Sequence, residues 1–340
     1  MRAFRRRHFL LMLGAGGALG LAAAGSFRPW RLSLFRRGLH AVTRSGWALG
    51  SDVSITALHD VRAAAESAVS AAFAELEQVE QAMSLYRPAS DLCRLNRQAV
   101  LDAPHPYLVD VVEKARAVSQ QSDGAFDVTI QPLWDLYAEA QRSGRLPDAA
   151  SIEATRRKVD WRRIEVSRSR IRLQGDGTAV TLNGIAQGYA ADRVMDALRR
   201  HGIEHALVNT GEIGTFGCKE TGEPWSVGIQ HPRNPDAYIA LARLNGRCLA
   251  TSGDYATSFS ADHRDNHVFD PRSGRSPDTL ASASVAAPTA WEADALSTAL
   301  FVLGAERGLQ LLRATPGADA LLVFKDGRTL ATDGFPLCNS

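Results

Sequence analysis

The chain has 340 residues, 45% hydrophobic and 22% charged, which suits one large domain or two closely joined ones and excludes a disordered, fibrous or disulfide-scaffold protein. Its formal net charge of +2 hides an asymmetry: residues 1–37 carry eight arginines and no acid, leaving 31 basic against 37 acidic side chains in the remainder. A globular part of that sign has no general attraction to nucleic acid.

Arg5, Arg6 and Arg7 precede Phe9 and Leu10, and a glycine-diluted apolar stretch runs on to Ala22, Ala23 and Ala24. Twin arginines, a weakly apolar core and a small-residue cleavage site predict a twin-arginine export signal over residues 1–25. Such a signal places the protein in the periplasm or otherwise outside the cytoplasm. The alternative is an uncleaved inner-membrane anchor, but the apolar run is about 16 residues where a spanning helix needs ~20. Residues 26–45 are basic and irregular and read as a linker, so the folded domain is expected over residues 46–335. Cys93, Cys218, Cys248 and Cys338 have no CxxC spacing, which argues against a zinc site and leaves disulfide pairing open.

Residues 44–56 predict a first strand, kinked at Gly50. A long helix follows over 61–83, with Val69, Phe73, Leu76, Val79 and Met83 on one face, and Pro88 forbids its continuation. Residues 91–97 form a short helical turn, and 106–122 a second amphipathic helix closed by Asp123 and Gly124. Asp127 then follows an aromatic residue and precedes the β-prone run Val128, Thr129 and Ile130. An aspartate so placed is more often a turn or cap residue than a ligand contact. Residues 139–162 are polar and helical. Residues 164–182 read as two strands joined by Gly175, Asp176 and Gly177, a strong hairpin signal.

Gly184 and Gly188 flank a strand-to-helix turn within 181–203. The free N–H groups of such a helix start favour anions, although neither the GxGxxG fingerprint nor a phosphate-loop lysine is present. Residues 205–217 are an apolar strand running into a glycine-rich loop. Further strands are expected over 226–230, 237–244 and 248–255. The polar loop 263–277 holds His267 and, three residues on, Asp270 before Pro271.

Residues 283–304 are the stretch around which the chain is organised. Pro288 and Thr289 supply a breaker and an N-cap. Trp291, Ala295, Leu296, Ala299, Leu300 and Leu303 recur at helical spacing, and Gly304 sits where a glycine would stop the helix. Asp294 and Thr298 are four apart and share one face. A carboxylate with a hydroxyl is a hard, oxygen-only pair that suits Mg²⁺. A surface carboxylate beside a core-edge threonine has the same spacing, so the pair alone does not decide. A last helix (305–314) and strands at 320–325 and 329–332 close the chain.

Five segments in order carry a resemblance: SLYRPASDLCRLN, GAFDVTIQPLW, GIAQGYAAD, TSGDY followed by NHVFDPRSG, and EADALSTALFVLG. Together they resemble the ApbE family, the FAD:protein FMN transferases, over residues 47–332. The resemblance implies an α+β, T-fold-related architecture of mixed sheets with packed helices and an FAD cleft between two lobes. It implies an enzyme that binds FAD and Mg²⁺, breaks the pyrophosphate, and joins FMN by a phosphoester to a threonine or serine of an acceptor flavoprotein. AMP leaves. The acceptor would be an exported protein or a membrane redox subunit.

Asp294 and Thr298 match the family's metal ligands, with a backbone oxygen near Gly184 as a third. Tyr86, Ala125, Phe126, Asp127 and His267 match positions that contact FAD, with Tyr86 and Phe126 suited to stacking on its rings. Leu49 lies where the family's first strand touches the flavin. His267 is the first candidate for the base that takes the acceptor hydroxyl proton, with Asp270 to orient it or act instead. Thr181, Asn183 and Gln187 depart from the family's usual aspartate, glycine and charged residue. These departures bear on the grip of Thr181 and Gln187 on the adenosine half of FAD more than on the metal. Two other outcomes fit the same residues: hydrolysis of FAD to FMN and AMP, and flavin binding without turnover. Mere binding needs no metal-ligand pair, which argues against the latter.

Overall fold

The chain enters its fold through a β-hairpin rather than the single kinked strand expected. β1 (His40–Ala48) starts inside the stretch read as linker and pairs antiparallel with β2 (Ser51–His59). The computed structural model describes residues 38–338, so the export signal expected over 1–25 lies outside the described residues. The turn residues Leu49 and Gly50 have φ of 52° and 75°, both positive as a type I′ turn requires. Leucine is a poor residue for that geometry, and the turn is held from outside. Leu49 N–H donates to Glu80 Oε1 at 2.9 Å, and Glu80 is itself paired with Arg87.

Three helices then fall within a residue of their expected bounds: α1 (Arg62–Met83), α2 (Asp91–Gln98) and α3 (Pro106–Gln121). Their start signals are local. Ser90 Oγ accepts from Cys93 N–H at 3.1 Å, capping α2, and proline opens α3, where its missing N–H costs nothing. The short β3 (Val100–Asp102) lies between them. α4 (Gln131–Arg142) and α5 (Ala149–Arg156) follow, then the hairpin of β4 (Ile164–Val166) and β5 (Arg170–Leu173). Its turn is not at Gly175, Asp176 and Gly177. Ser167 N–H donates to Arg170 O at 2.9 Å and Ser167 Oγ accepts from Arg170 N–H at 3.1 Å. A serine side chain thus closes the turn that the glycines were expected to make.

The second half holds α6 (Ala186–Arg200), β6 (His205–Asn209), β7 (Ile213–Phe216), β8 (Trp225–His231) and β9 (Asn234–Leu244). β10 (Cys248–Gly253), β11 (Leu280–Ala287), α7 (Ala290–Arg313), β12 (Asp319–Phe324) and β13 (Thr329–Ala331) complete it. Gly304, with φ 72° and ψ −177°, breaks α7 where the sequence predicted a stop, and the helix then resumes.

Eight strands form one sheet in the order β1-β2-β6-β7-β10-β11-β12-β13, and β3-β5-β4 and β8-β9 form two smaller ones. Among the described residues the strand pairings of these sheets are all antiparallel, and an isolated bridge between Ile130 and Ala179 is parallel. Period-two alternation covers both faces of the large sheet. Val53, Ile55 and Ala57 of β2 join the core beneath α1, α3, α6 and α7, while Leu58 joins Trp225, Val227 and Ile229 of the β8–β9 layer. β11 is buried at every residue because both of its faces are covered. Among the described residues no helix is long and apolar enough to cross a membrane.

The crossing of α6 over α7 positions the site. A Cβ at Gly188 would lie 2.2 Å from Ala290 O and 2.8 Å from Asp294 Cβ, so only glycine lets the two helices meet here. The start of α7 is not capped by Thr289, whose side chain makes no cap bond. Asp192 of α6 does this work, accepting from Ala290 N–H at 3.0 Å and Trp291 N–H at 2.9 Å.

Burial raises the Asp192 pKa from 3.8 to about 6 against those two hydrogen bonds. Folding therefore favours the protonated acid. The resulting stabilisation is present below pH ~4 and is lost as pH rises through about 6, at most ~3 kcal/mol for two units at 1.36 kcal/mol each. In thermal melts the margin of the wild type over Asp192→Asn is expected to narrow between pH 5 and 7.5. A margin that is flat or widens would contradict this.

Candidate active site

A cleft of about 810 Å³ opens beside the large sheet. Its walls come from β1 and β2, the 125–130 segment, the turn before α6, the β6–β7 turn, the end of β8, the 252–269 segment and the exposed side of α7. Ala125, Phe126, Asp127, Thr181, Gly184, Gln187, His267, Asp294 and Thr298, all expected at a site, line it. Residues scattered over more than 170 positions of sequence therefore share one wall system.

Asp294 and Thr298 face the cleft from adjacent turns of α7. Asp294 is 4% exposed, and its Oδ2 accepts from Gly188 N–H at 2.9 Å. A continuous helix would direct that N–H at the Gly184 carbonyl instead. Thr298 Oγ1 lies 3.0 Å from where a Cβ on Gly184 would be, and Phe126 Cε2 lies 3.2 Å from the same point. Gly184 thus lets its backbone come close to Thr298. Ser252 Oγ is 3.0 Å from Thr298 Oγ1 and 2.8 Å from Ser297 Oγ, which itself donates to Asp294 O at 2.9 Å. The donors gathered here are all oxygens. Among the described residues no group of three or more His, Cys, Asp or Glu side chains meets, so a cation here would draw on the Asp294 carboxylate together with hydroxyl and carbonyl oxygens. That set fits a hard, partly hydrated ion such as Mg²⁺ and does not fit zinc.

His267 lines the cleft, and its Nδ1 is 3.1 Å from the Thr257 carbonyl. A carbonyl only accepts, so Nδ1 carries the proton and Nε2 is the basic nitrogen. Asp270 does not join it. Its carboxylate pairs with Arg272 at 2.8 Å through both oxygens and does not line the cleft. The expected role of Asp270 as orienter or base is therefore corrected: an arginine two residues on claims the carboxylate.

Four further expectations change in detail. Asp127 lines the cleft, but Oδ1 accepts from Thr129 N–H and Oγ1 at 2.7 and 2.6 Å, and Oδ2 from Trp161 N–H at 2.9 Å. It is the turn residue that local sequence suggested, and burial pushes its carboxyl up to about 6 despite those donors. Phe126 is 3% exposed and packs against the Gly184 turn, so its ring is part of the cleft floor rather than an open stacking face. Tyr86 is 72% exposed beside Gly50, and both Tyr86 and Leu49 stand off the cleft wall. Leu49 occupies a hairpin turn, not a strand.

Thr181 Oγ1 accepts from Asn183 N–H at 3.3 Å. Gln187 donates through Nε2 to Ser51 Oγ at 3.0 Å and Leu49 O at 3.5 Å. Its amide thus fastens the first hairpin to α6 while the residue lines the cleft. Glu212 and Arg233, which sequence reasoning passed over, also line it. Glu212 Oε2 accepts from Thr251 N–H at 3.1 Å. Arg233 donates to both oxygens of Asp254 at 2.6 and 2.8 Å. No local pattern marks either residue; their partners lie 39 and 21 positions away.

Its likeness to known proteins makes the chain an enzyme of the transferase class. The ApbE family model matches residues 49–322, and the chain belongs to the ApbE family. A FAD:protein FMN transferase of Salmonella typhimurium is 32% identical over 271 residues, 76% of this chain and 77% of the relative. One from Treponema pallidum is 32% identical over 303 residues, 82% and 83% of the two chains. Among solved structures, the flavinyl transferase ApbE of Pseudomonas stutzeri in its apo form superposes with a TM-score of 0.76 at 31% identity, covering 87% of this chain and 95% of its own. The flavin transferase ApbE of Vibrio cholerae gives a TM-score of 0.76 at 27% identity, covering 88% and 100%.

Proposed function

We propose that the protein is a Mg²⁺-dependent FAD:protein FMN transferase that moves the FMN half of FAD onto a threonine or serine hydroxyl of an acceptor flavoprotein, releasing AMP. The observation that carries this reading is the meeting of Asp294, Thr298 and the Gly184 turn on one wall of a cleft of about 810 Å³. Asp294, Thr298 and a backbone oxygen at Gly184 would hold the ion. When bound, it supplies neutralisation of pyrophosphate charge.

The chain's own residues do the remaining work, which in phosphoryl transfer is mostly positioning. The hydrogen bond from Gly188 N–H fixes the Asp294 carboxylate in orientation. His267 Nε2 accepts the acceptor hydroxyl proton, its tautomer set by the Thr257 carbonyl. The buried floor of Ala125 and Phe126 keeps water from one side and strengthens charge interactions there. The twin-arginine signal expected over residues 1–25 would put the enzyme with acceptors outside the cytoplasm, exported or membrane-bound.

The test is incubation with FAD, Mg²⁺ and a threonine-bearing acceptor domain, then denaturing electrophoresis. Flavin fluorescence on the acceptor band is the expected result. Free FMN and AMP over an unlabelled acceptor would favour hydrolysis, and bound FAD alone a carrier. In the same assay Thr298→Val, which removes one oxygen and keeps the side-chain shape, is expected to raise the Mg²⁺ concentration for half-maximal turnover about tenfold, or ~1.4 kcal/mol. An unchanged Mg²⁺ requirement would remove Thr298 from the metal site.

A further inference from the structure

One cleft residue carries two costs that the fold does not relieve. His263 lines the cleft with a backbone φ of 59°, in the left-handed region that few residues other than glycine adopt, histidine more readily than most. Its Nδ1 is buried without a hydrogen-bond partner, and an unsatisfied buried polar atom is destabilising. The conformation is nevertheless held firmly. His263 N–H donates to Ser260 O at 3.2 Å, and its carbonyl accepts from Lys325 Nζ at 2.9 Å and Asn266 Nδ2 at 3.2 Å.

Behind this lies a buried charge network. Lys325 Nζ is 3.6 Å from Asp254 Oδ2, and Asp254, 0% exposed, is gripped by Arg233 at 2.6 and 2.8 Å. Arg233 and His263 are the members of this network that line the cleft. Lys325 and Arg233 both face the Asp254 carboxylate, and Glu212, Asp127 and Asp294 line the same cleft. Strain that the surroundings over-determine, at a residue facing a ligand cleft, points to a ligand-directed role.

We propose that His263 is a further substrate-binding residue whose imidazole hydrogen-bonds a phosphate oxygen of the dinucleotide. This rests on the reading of FAD as the substrate. Nδ1 is buried and takes no part, so the contact is made by Nε2, which donates its proton's hydrogen bond to the phosphate oxygen. An ionised phosphate oxygen makes a stronger hydrogen bond with an imidazole N–H than a neutral oxygen does.

The test compares His263→Gly and His263→Gln with the wild-type chain by FAD fluorescence quenching and thermal unfolding. The wild type should bind FAD. The glycine variant should bind about five- to tenfold more weakly, with a Tm at or above wild type, because glycine accepts positive φ and leaves no orphaned nitrogen. Glutamine restores a hydrogen-bonding group and should recover most of the affinity. Equal FAD affinity in the glycine variant would overturn the proposal, as would an effect confined to the acceptor KM. A clear fall in Tm for that variant would make His263 a fold element and overturn it too. Failure of the wild type to bind FAD would instead overturn the substrate reading itself.

Discussion

Asp294→Asn is expected to abolish Mg²⁺-dependent flavin transfer, lowering turnover by at least about 10³-fold, while the protein stays folded. The two halves of that expectation have separate causes. Asparagine keeps an oxygen that can accept the Gly188 N–H now 2.9 Å from Asp294 Oδ2, so the contact between α6 and α7 survives. It loses the formal negative charge on a residue only 4% exposed, where a charge contribution to holding a divalent ion is worth several kcal/mol. At 1.36 kcal/mol per decade, that reaches or exceeds a thousandfold. Turnover measured against Mg²⁺ concentration, with a thermal melt of the same sample, checks both halves. Retained activity would remove the carboxylate from the mechanism. A collapsed melt would make it chiefly a helix cap.

Gly188→Ala is expected to have the largest effect on the fold. The added Cβ would sit 2.2 Å from the Ala290 carbonyl oxygen, and a backbone atom cannot rotate away as a side chain can. The helices must separate, at a cost of roughly 3 kcal/mol or more, which for a chain of this size is a Tm lower by about 6 °C or more. Activity should fall further than stability, because α7 carries Asp294 and Thr298. A displacement of about 1 Å in positioned groups costs on the order of 100-fold in rate. Calorimetry and turnover on one preparation test this. A Tm within a degree or two of wild type would mean that the close approach at Gly188 is slack.

The contrast between these two residues explains what the sequence made legible. Asp294 and Thr298 lie four apart on a periodic helix, so their common face follows from local geometry. The bounds of α1, α2 and α3 were readable for the same reason: local periodicity, with Pro88 after the first helix and Asp123 and Gly124 closing the third. Contacts made across the fold were not readable. The cap of α7 comes from Asp192, 98 residues earlier, and the Leu49–Gly50 turn is held by Glu80, 31 residues on. Leu-Gly carries no turn signature, so the first hairpin was invisible without that partner.

The polar site residues divided along the same line. His267 reached the cleft as expected. Asp270, equally polar and three residues away, was claimed by Arg272. Asp127 lines the cleft, but its oxygens serve Thr129 and Trp161, as a turn residue's do. Phe126 was expected to present an open ring, but the Gly184 turn packs against it. In each case a hydrogen bond or a packing contact made elsewhere in the fold decided which residue was left to face a ligand.

The most direct measurement is a crystal structure grown with the dinucleotide and Mn²⁺ in place of Mg²⁺, the ion located by its anomalous signal. The ion should lie about 2.0–2.3 Å from a carboxylate oxygen of Asp294 and from Thr298 Oγ1, with the Gly184 carbonyl turned toward it and the nucleotide's phosphates completing its shell. An ion found elsewhere in the cleft, away from both Asp294 and Thr298, would contradict the account.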